Sequence, residues 1–445
     1  MNRGWGRALA LVLFVSGIPG PARAQSTVAA SPPDSAATTT YETGGIRVIH
    51  RYSPSSDVVV ANLYLLGGAR QMTADNAGIE PLLLEASERG TRTYPKDRLR
   101  RQMARLGTSI VTSADPDWTN FGIRATRSTL DSTWAVFASR VMQPTLDSLE
   151  FEIVRSQFLG AVRQRKDSPD ALLEFLADSF AFSGHPYAVP TTGTETSIAR
   201  LKLTDLRRYH AEQFVTSRML LVVVGNVTPT HIQRLVGKTL ARLPAGTYRW
   251  TLPDTLPRSK DAALIVDRAL PTNYIMGRYA GPLASSNDYV ALRVASAVLS
   301  GQLFGEIRSR RNLTYAVDAP FIERAVGAGG LYVTTVAPDV TIDLMREQLD
   351  GLKGGTLDEA GLDRLVAQFS TQYFLENESN ASQANFLARA YLFHGSISAL
   401  DRFAEDLRAV SPEDVRRVAQ RYMKDFRFVY IGDPKRAPTR QMERF

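Results

Sequence analysis

At 445 residues the chain is too long for one ordinary core, so two domains are expected. Apolar residues make up 44% and charged residues 22%, the balance of a globular protein. The net charge of +8 falls to +5 once Arg3, Arg7 and Arg23 are set aside, and no dense Lys/Arg block with interleaved aromatics marks a nucleic-acid face.

Arg3 and Arg7 precede the apolar run Ala8–Val15, and Pro19–Ala24 ends in a small-x-small pattern. This is the layout of a secretory signal peptide over residues 1–24, with cleavage after Ala24. The run is too short to span a membrane as a mature helix, so no integral membrane segment is expected after cleavage. With no Cys anywhere, disulfides and a lipidated Cys anchor are excluded. In a bacterial host the mature protein would be periplasmic or secreted. Residues 25–40, rich in Ser, Thr, Ala and Pro, read as a flexible leader.

Ile46–Tyr52 alternates like a strand, and Asp57–Leu66 is a longer one beyond the turn Ser53–Ser56. Gly78–Glu88 is helical: Ile79, Leu82, Leu83 and Ala86 recur at helical spacing, Pro81 suits a first turn, and Gly90 is a stop. Its Glu80, Glu85 and Glu88 read as a solvated acidic face. Lys96–Leu106 is a second helix. Ser109–Ser113 and Phe121–Ala125 read as strands around the turn Asp115–Asp117. Leu130–Met142, Leu149–Arg165 and Ala171–Phe182 are helical. Thr204 caps a helix running to Phe214, and Arg218–Gly225 is a buried strand.

Residues 244–260 hold three prolines with little periodicity and read as a linker between domains at 41–243 and 261–437. In the second domain Ala263–Asp267 and Thr272–Tyr279 are strands, and Tyr289–Leu299 is a helix. The Ser411–Tyr422 helix and the strand ending at Gly432 repeat the pattern of Thr204 to Gly225, which suggests an internal duplication. The fold class is α+β: two duplicated α/β-sandwich domains, each an antiparallel-rich sheet with helices packed on it.

The stretch Gly78–Thr91 (Gly-Ile-Glu-Pro-Leu-Leu-Leu-Glu-Ala-Ser-Glu-Arg-Gly-Thr) resembles the first metal-binding helix of the insulinase/pitrilysin family, zinc metallopeptidases with an inverted motif. Active members carry His-x-x-Glu-His there: two ligands four apart, with the general base between them. On that frame the His positions are Pro81 and Glu85, and the base position is Leu84. The third ligand, a Glu upstream of an acidic-Pro-Asp segment (here Lys166–Asp170), falls on Ala161. A catalytic zinc needs three protein ligands and a water position. The resemblance therefore implies a chain with no metal or cofactor of its own, inactive alone. The five histidines, His50, His185, His210, His231 and His394, show no two spaced for one helix face. No Gly-x-Ser-x-Gly signature exists either.

Leu303–Val317 resembles the family's C-terminal segment, in which an Arg and a Tyr seven residues apart reach the active site. Those positions are Arg308 and Tyr315. The resemblance gives Tyr315 an oxyanion contact and Arg308 a substrate carbonyl. It also implies two-chain members in a clamshell arrangement: a zinc-bearing homologous subunit as partner, zinc held there, and unfolded peptides as substrate. Peptide would add as a strand along Leu106, Gly107, Thr108, Ser109 and Ile110. The expected function is the zinc-less subunit of a periplasmic metallopeptidase. The alternative is a non-catalytic peptide-binding or scaffold protein of the same fold.

Overall fold

The computed structural model describes residues 38–258 and 260–445. The expected signal peptide and most of the expected leader lie outside the described residues. Thr38–Thr40 are strand rather than leader, since their Thr-rich run pairs with Arg51, His50 and Ile49.

The first half runs β1 (Thr38–Thr43), β2 (Ile46–Tyr52), β3 (Val58–Leu66), α1 (Ile79–Ser87), α2 (Lys96–Leu106), β4 (Ser109–Ala114), β5 (Trp118–Thr126), α3 (Leu130–Met142) and α4 (Ser148–Asp167). It continues with α5 (Pro169–Ala181), α6 (Glu195–Arg200), α7 (Leu203–Gln213), β6 (Met219–Gly225) and α8 (Pro229–Lys238). The second half runs β7 (Ala262–Asp267), β8 (Asn273–Leu283), α9 (Asp288–Leu303), a π-helical extension at Phe304–Arg310, β9 (Val317–Asp318), β10 (Phe321–Ile322) and β11 (Val326–Thr335). Then come α10 (Pro338–Gly354), α11 (Glu359–Glu376), α12 (Asn380–His394), α13 (Ala399–Arg408), α14 (Pro412–Tyr422), β12 (Arg427–Gly432) and α15 (Thr439–Met442). Thr204 does not cap α7: Lys202 opens it, and the Asp205 carboxylate accepts the Lys202 N–H at 2.9 Å.

The strands form two sheets, in the orders β1-β2-β6-β3-β5-β4 and β10-β11-β8-β12-β7. Setting β1 aside, the connections match. In each half the first strand lies parallel to the last, β2 with β6 and β7 with β12. The last strand then pairs antiparallel with the second, and the second with the next long strand. The expected duplication is therefore visible as a shared strand order.

The central strands are apolar throughout because both sheet faces are covered. All seven residues of β6 are buried. One face of the first sheet packs against helices of its own half: Leu63, Leu65, Leu221 and Val223 meet Leu83 of α1 and Phe137 of α3 in one core. The opposite face is covered by α12, from the other half, where Ala384, Leu387 and Ala388 meet Val60, Tyr64, Leu220 and Val222. The exchange is mutual. Leu173 and Ala177 of α5 leave the first half and pack on Met276, Val429 and Ile431 of the second sheet.

Buried polar contacts lock the halves together. Asp117 accepts the Tyr187 hydroxyl at 2.6 Å and the Ala325 N–H at 2.9 Å. Burial and the Asp117 charge push the Tyr187 phenol well above its ordinary pKa. Asp178 of α5 binds Arg278 at 3.0 Å and Arg324 at 2.8 Å. The segment 244–258 has no helix or strand, yet it is held: Trp250 Nε1 donates to Leu392 O at 2.9 Å, and the Tyr248 N–H to Ser217 Oγ at 3.1 Å. The helical stretch Asp288–Arg310 is long and apolar enough to cross a membrane, but Leu292, Val294, Leu299 and Leu303 are core of the second half.

Candidate functional site

Gly78 opens α1 with φ +89°, a left-handed conformation that favours glycine. The helix is pressed into the first core, and Leu84 is 3% exposed there. The position that holds the general base in active relatives is thus packed within the apolar core. Pro81 is half-buried and has no donor atom. Glu85 is paired with Arg89 at 2.6 Å, and Arg89 also donates to Gln157 Oε1 of α4 at 3.2 Å. Ala161 lies one turn beyond Gln157 on the same helix face, exposed, with only a methyl to offer. The four positions supply a single carboxylate, already engaged by a guanidinium. Among the described residues no group of three or more His, Asp or Glu side chains is gathered to hold a metal. This donor set does not fit zinc, and no chemistry of the chain runs through a metal held here.

The expected solvated acidic face is not found. Glu80 is completely buried: its carboxylate accepts Arg218 Nη2 at 2.9 Å and Thr119 Oγ1 at 2.6 Å. Arg218 is itself 1% exposed and donates through Nε to Leu66 O at 2.6 Å. Glu88 is paired at 3.0 Å with Arg140, a buried side chain that also donates to Ser87 Oγ at 3.1 Å. Burial depresses the Arg140 pKa, and the Glu88 charge opposes that shift. Each glutamate of α1 therefore answers an arginine. The sequence hides this because Arg218 is 138 positions from Glu80 and Arg140 is 52 from Glu88.

Between α1, α2 and β4 lies a cleft of about 490 Å³, lined by Glu85, Arg89, Lys96, Arg100, Ser109 and Ile110 among others. The structure thus brings two of the expected strand-edge residues to the degenerate ligand Glu85. β4 is the last strand of its sheet. Leu106, Gly107 and Thr108 are not part of that edge. Leu106 ends α2, and Gly107 caps it in the left-handed conformation at φ 59°. Thr108 donates its hydroxyl to Arg124 O at 2.5 Å. The usable edge begins at Ser109.

Arg308 and Tyr315 stand on the second half, and neither lines that cleft. Arg308 lies in the π-helical segment, a geometry concentrated at functional sites, with its guanidinium 4.9 Å from the Phe304 ring centroid. Tyr315 sits in a bend before β9 and is 88% exposed. No hydrogen bond or ring contact joins the two among the described residues. Glu306 of the same segment is paired with Arg310 and Arg311.

Three histidines are structural. Ring Nε2 of His50, His185 and His210 faces the carbonyls of Val227, Asp254 and Val141 at 2.9, 3.1 and 2.8 Å. A carbonyl only accepts, so each Nε2 carries a proton. His185 Nδ1 accepts the Tyr187 N–H at 3.1 Å, which makes that ring neutral. Burial lowers the pKa of all three.

The insulinase (peptidase family M16) model matches residues 47–195, and the M16 inactive domain model matches residues 200–369. The chain belongs to the insulinase (M16) family. An uncharacterized zinc protease of Bacillus subtilis is 21% identical to this M16 chain over 410 residues, covering 89% of it and 98% of the relative. The β subunit of the mitochondrial-processing peptidase of Lentinula edodes is 21% identical over 415 residues, covering 87% and 88%. Subunit 1 of the human cytochrome b-c1 complex is 25% identical over 258 residues, covering 57% and 53%. An M16 inactive-domain structure from Pseudomonas fluorescens superposes with a TM-score of 0.82 at 19% identity, covering 89% and 98%. A protease structure from Helicobacter pylori gives 0.80 at 20% identity, covering 88% and 98%. The M16 fold is thereby established: mixed α/β, with two sheets and their helices, as the sequence reading expected.

Proposed function

We propose that this chain is the zinc-less subunit of a heteromeric M16 metallopeptidase, working with a homologous subunit that holds zinc. In this reading the chain contributes chamber walls and presents Arg308 and Tyr315 to peptide bound at the partner's metal. Unfolded peptides are the substrates. The observation that carries the reading is the state of α1. Leu84 is sunk in the core, Glu85 is neutralised by Arg89, and Pro81 and Ala161 have no donor. A metal mechanism in this chain alone has no ligands to run on. The exposure of Tyr315 supports the second part, because a phenol left in solvent is free to reach a group on another molecule. The signal-peptide pattern from Arg3 to Ala24 supports export, to the periplasm or beyond if the host is bacterial.

The test is to purify the chain alone and with a zinc-bearing M16 homologue from the same genome, then measure zinc content and cleavage of a quenched fluorescent peptide. The chain alone is expected to be metal-free and inactive, and the pair active. Arg308→Ala and Tyr315→Phe should each lower turnover, by up to about 10²–10³-fold if Tyr315 serves as an oxyanion donor, without loss of assembly. Stoichiometric zinc and cleavage by the lone chain would overturn the proposal. The likeness to a cytochrome b-c1 subunit favours a second reading, a non-catalytic peptide-binding or scaffold role. Under it no active pair is found, and both variants leave the chain's function unchanged.

A further inference from the structure

The acids of the cleft are already engaged. Glu85 is held by Arg89 and Glu88 by Arg140, while the cleft's Lys96 is itself taken up by Glu150 of α4. What remains is cationic. α2 (Lys-Asp-Arg-Leu-Arg-Arg-Gln-Met-Ala-Arg-Leu) carries five basic side chains against one acid in 11 residues. Arg98, Arg100, Arg101 and Arg105 are all exposed, and among the described residues none of them is in an ion pair. Arg98, Arg101 and Arg105 follow at three and four residues, so they form one ridge along the helix. Arg100 turns the other way and lines the cleft beside Ser109 and Ile110. Among the described residues the only ring contact on the ridge is Arg98 over Tyr94, 5.6 Å from its centroid.

We infer that this margin receives an extended acidic segment of a polypeptide, with its backbone along β4 and its carboxylates on Arg100 and the α2 ridge. The inference rests on the peptide-handling role proposed above and assigns it a substrate class. The geometry suits a strand. A segment added to β4 would lie about 4.8 Å away and would turn every second side chain toward the helix side of the sheet. β4 itself (Ser-Ile-Val-Thr-Ser-Ala) is uncharged, so selection by charge falls to α2. Two other anionic partners fit less well. A bilayer would need apolar groups to insert, but Leu99 is buried, Met103 and Leu106 are half-buried, and the large exposed apolar side chains include none from α2. A single-stranded nucleic acid would need rings to stack on, and Tyr94 is half-buried beneath Arg98.

The experiment is fluorescence polarisation with the full mature chain. The probes are a labelled peptide alternating Glu and Thr, its Lys–Thr counterpart, anionic phospholipid vesicles and an oligothymidine. The Glu–Thr peptide should bind at least about tenfold tighter than the Lys–Thr peptide and weaken with added salt. Arg100→Glu and the triple variant Arg98→Glu/Arg101→Glu/Arg105→Glu should each abolish that preference, while Arg100→Lys retains part of it. Circular dichroism checks that the variants fold, and these exposed positions leave the core untouched. Equal binding of the two peptides, or binding only of vesicles or oligothymidine, would overturn the inference. Binding is read on the chain alone, so its failure leaves the pairing with a zinc subunit standing. Failure to find an active pair likewise leaves this result standing.

Discussion

The Glu80–Arg218 pair fixes α1 against the first sheet, and its removal has a calculable cost. Both side chains are 0–1% exposed, 2.9 Å apart, and each has one further short hydrogen bond, to Thr119 and to Leu66 O. Arg218→Met leaves a buried carboxylate with only a hydroxyl, and stranding one member of such a pair costs about 3–5 kcal/mol. Glu80→Leu strands a guanidinium whose Nη1 already has no hydrogen-bond partner among the described residues, at a similar cost of about 3–5 kcal/mol. The double variant Glu80→Leu/Arg218→Met removes both charges and replaces them with groups of comparable volume. It should lie within about 1 kcal/mol of the parent or above it. The coupling is then at least about 5 kcal/mol, measured by urea unfolding of the four proteins followed by circular dichroism. Hydrogen exchange gives a local reading, with the α1 amides deprotected in the single variants and recovered in the double. Either single variant falling within about 1 kcal/mol of the parent, or a double variant as costly as the two singles together, would refute the reasoning.

The buried histidines set a pH dependence. Their folded pKa values lie below the ordinary value near 6.5, so the stability they lend is complete above that value and is lost as pH falls through it toward the depressed folded values. Thermal unfolding between about pH 8 and pH 5 should show this decline, and His210→Gln should flatten it; an unchanged slope in the variant would count against the burial argument. Restoring the zinc motif by Pro81→His, Leu84→Glu, Glu85→His and Ala161→Glu should yield a protein that is destabilised before it is metallated. Leu84→Glu places a carboxylate in the core, at a cost of several kcal/mol. Stoichiometric zinc by atomic absorption, with unaltered stability, would contradict that placement. Tyr315→Phe should change the unfolding midpoint by less than about 0.5 kcal/mol equivalent, because the ring is almost wholly in solvent.

The elements of the first half were largely legible because each follows one period. α1 places Ile79, Leu82, Leu83 and Ala86 on one side, and β6 is an unbroken apolar run between two covered faces. The missing zinc donors could be read from residue types alone. What escaped was anything carried by a distant partner. α12 (Asn-Ala-Ser-Gln-Ala-Asn-Phe-Leu-Ala-Arg-Ala-Tyr-Leu-Phe-His) touches apolar neighbours on more than one side, so its pattern has no clean stripe. Glu80 looked solvated because nothing local announces Arg218. The expected peptide edge began three residues early because Gly107 turns the chain out of α2 before the strand starts.

The exchanged helices bear on how a ribosome must deliver this chain. Strands β1 to β6 are complete by Gly225, but the helix that roofs their outer face is not made until Asn380–His394. Throughout that interval the nascent first half exposes Val60, Tyr64, Leu220 and Val222 as a bare apolar wall. The second sheet waits longer still: β12, which sits between β8 and β7, emerges at Arg427–Gly432. The inner core of the first half is built wholly from residues up to Leu243 and can close during synthesis, but its outer face stays uncovered until α12 follows. The outer face of the first sheet is roofed once His394 is made and the second sheet is complete only after Gly432, so a holding chaperone would act on the half that waits.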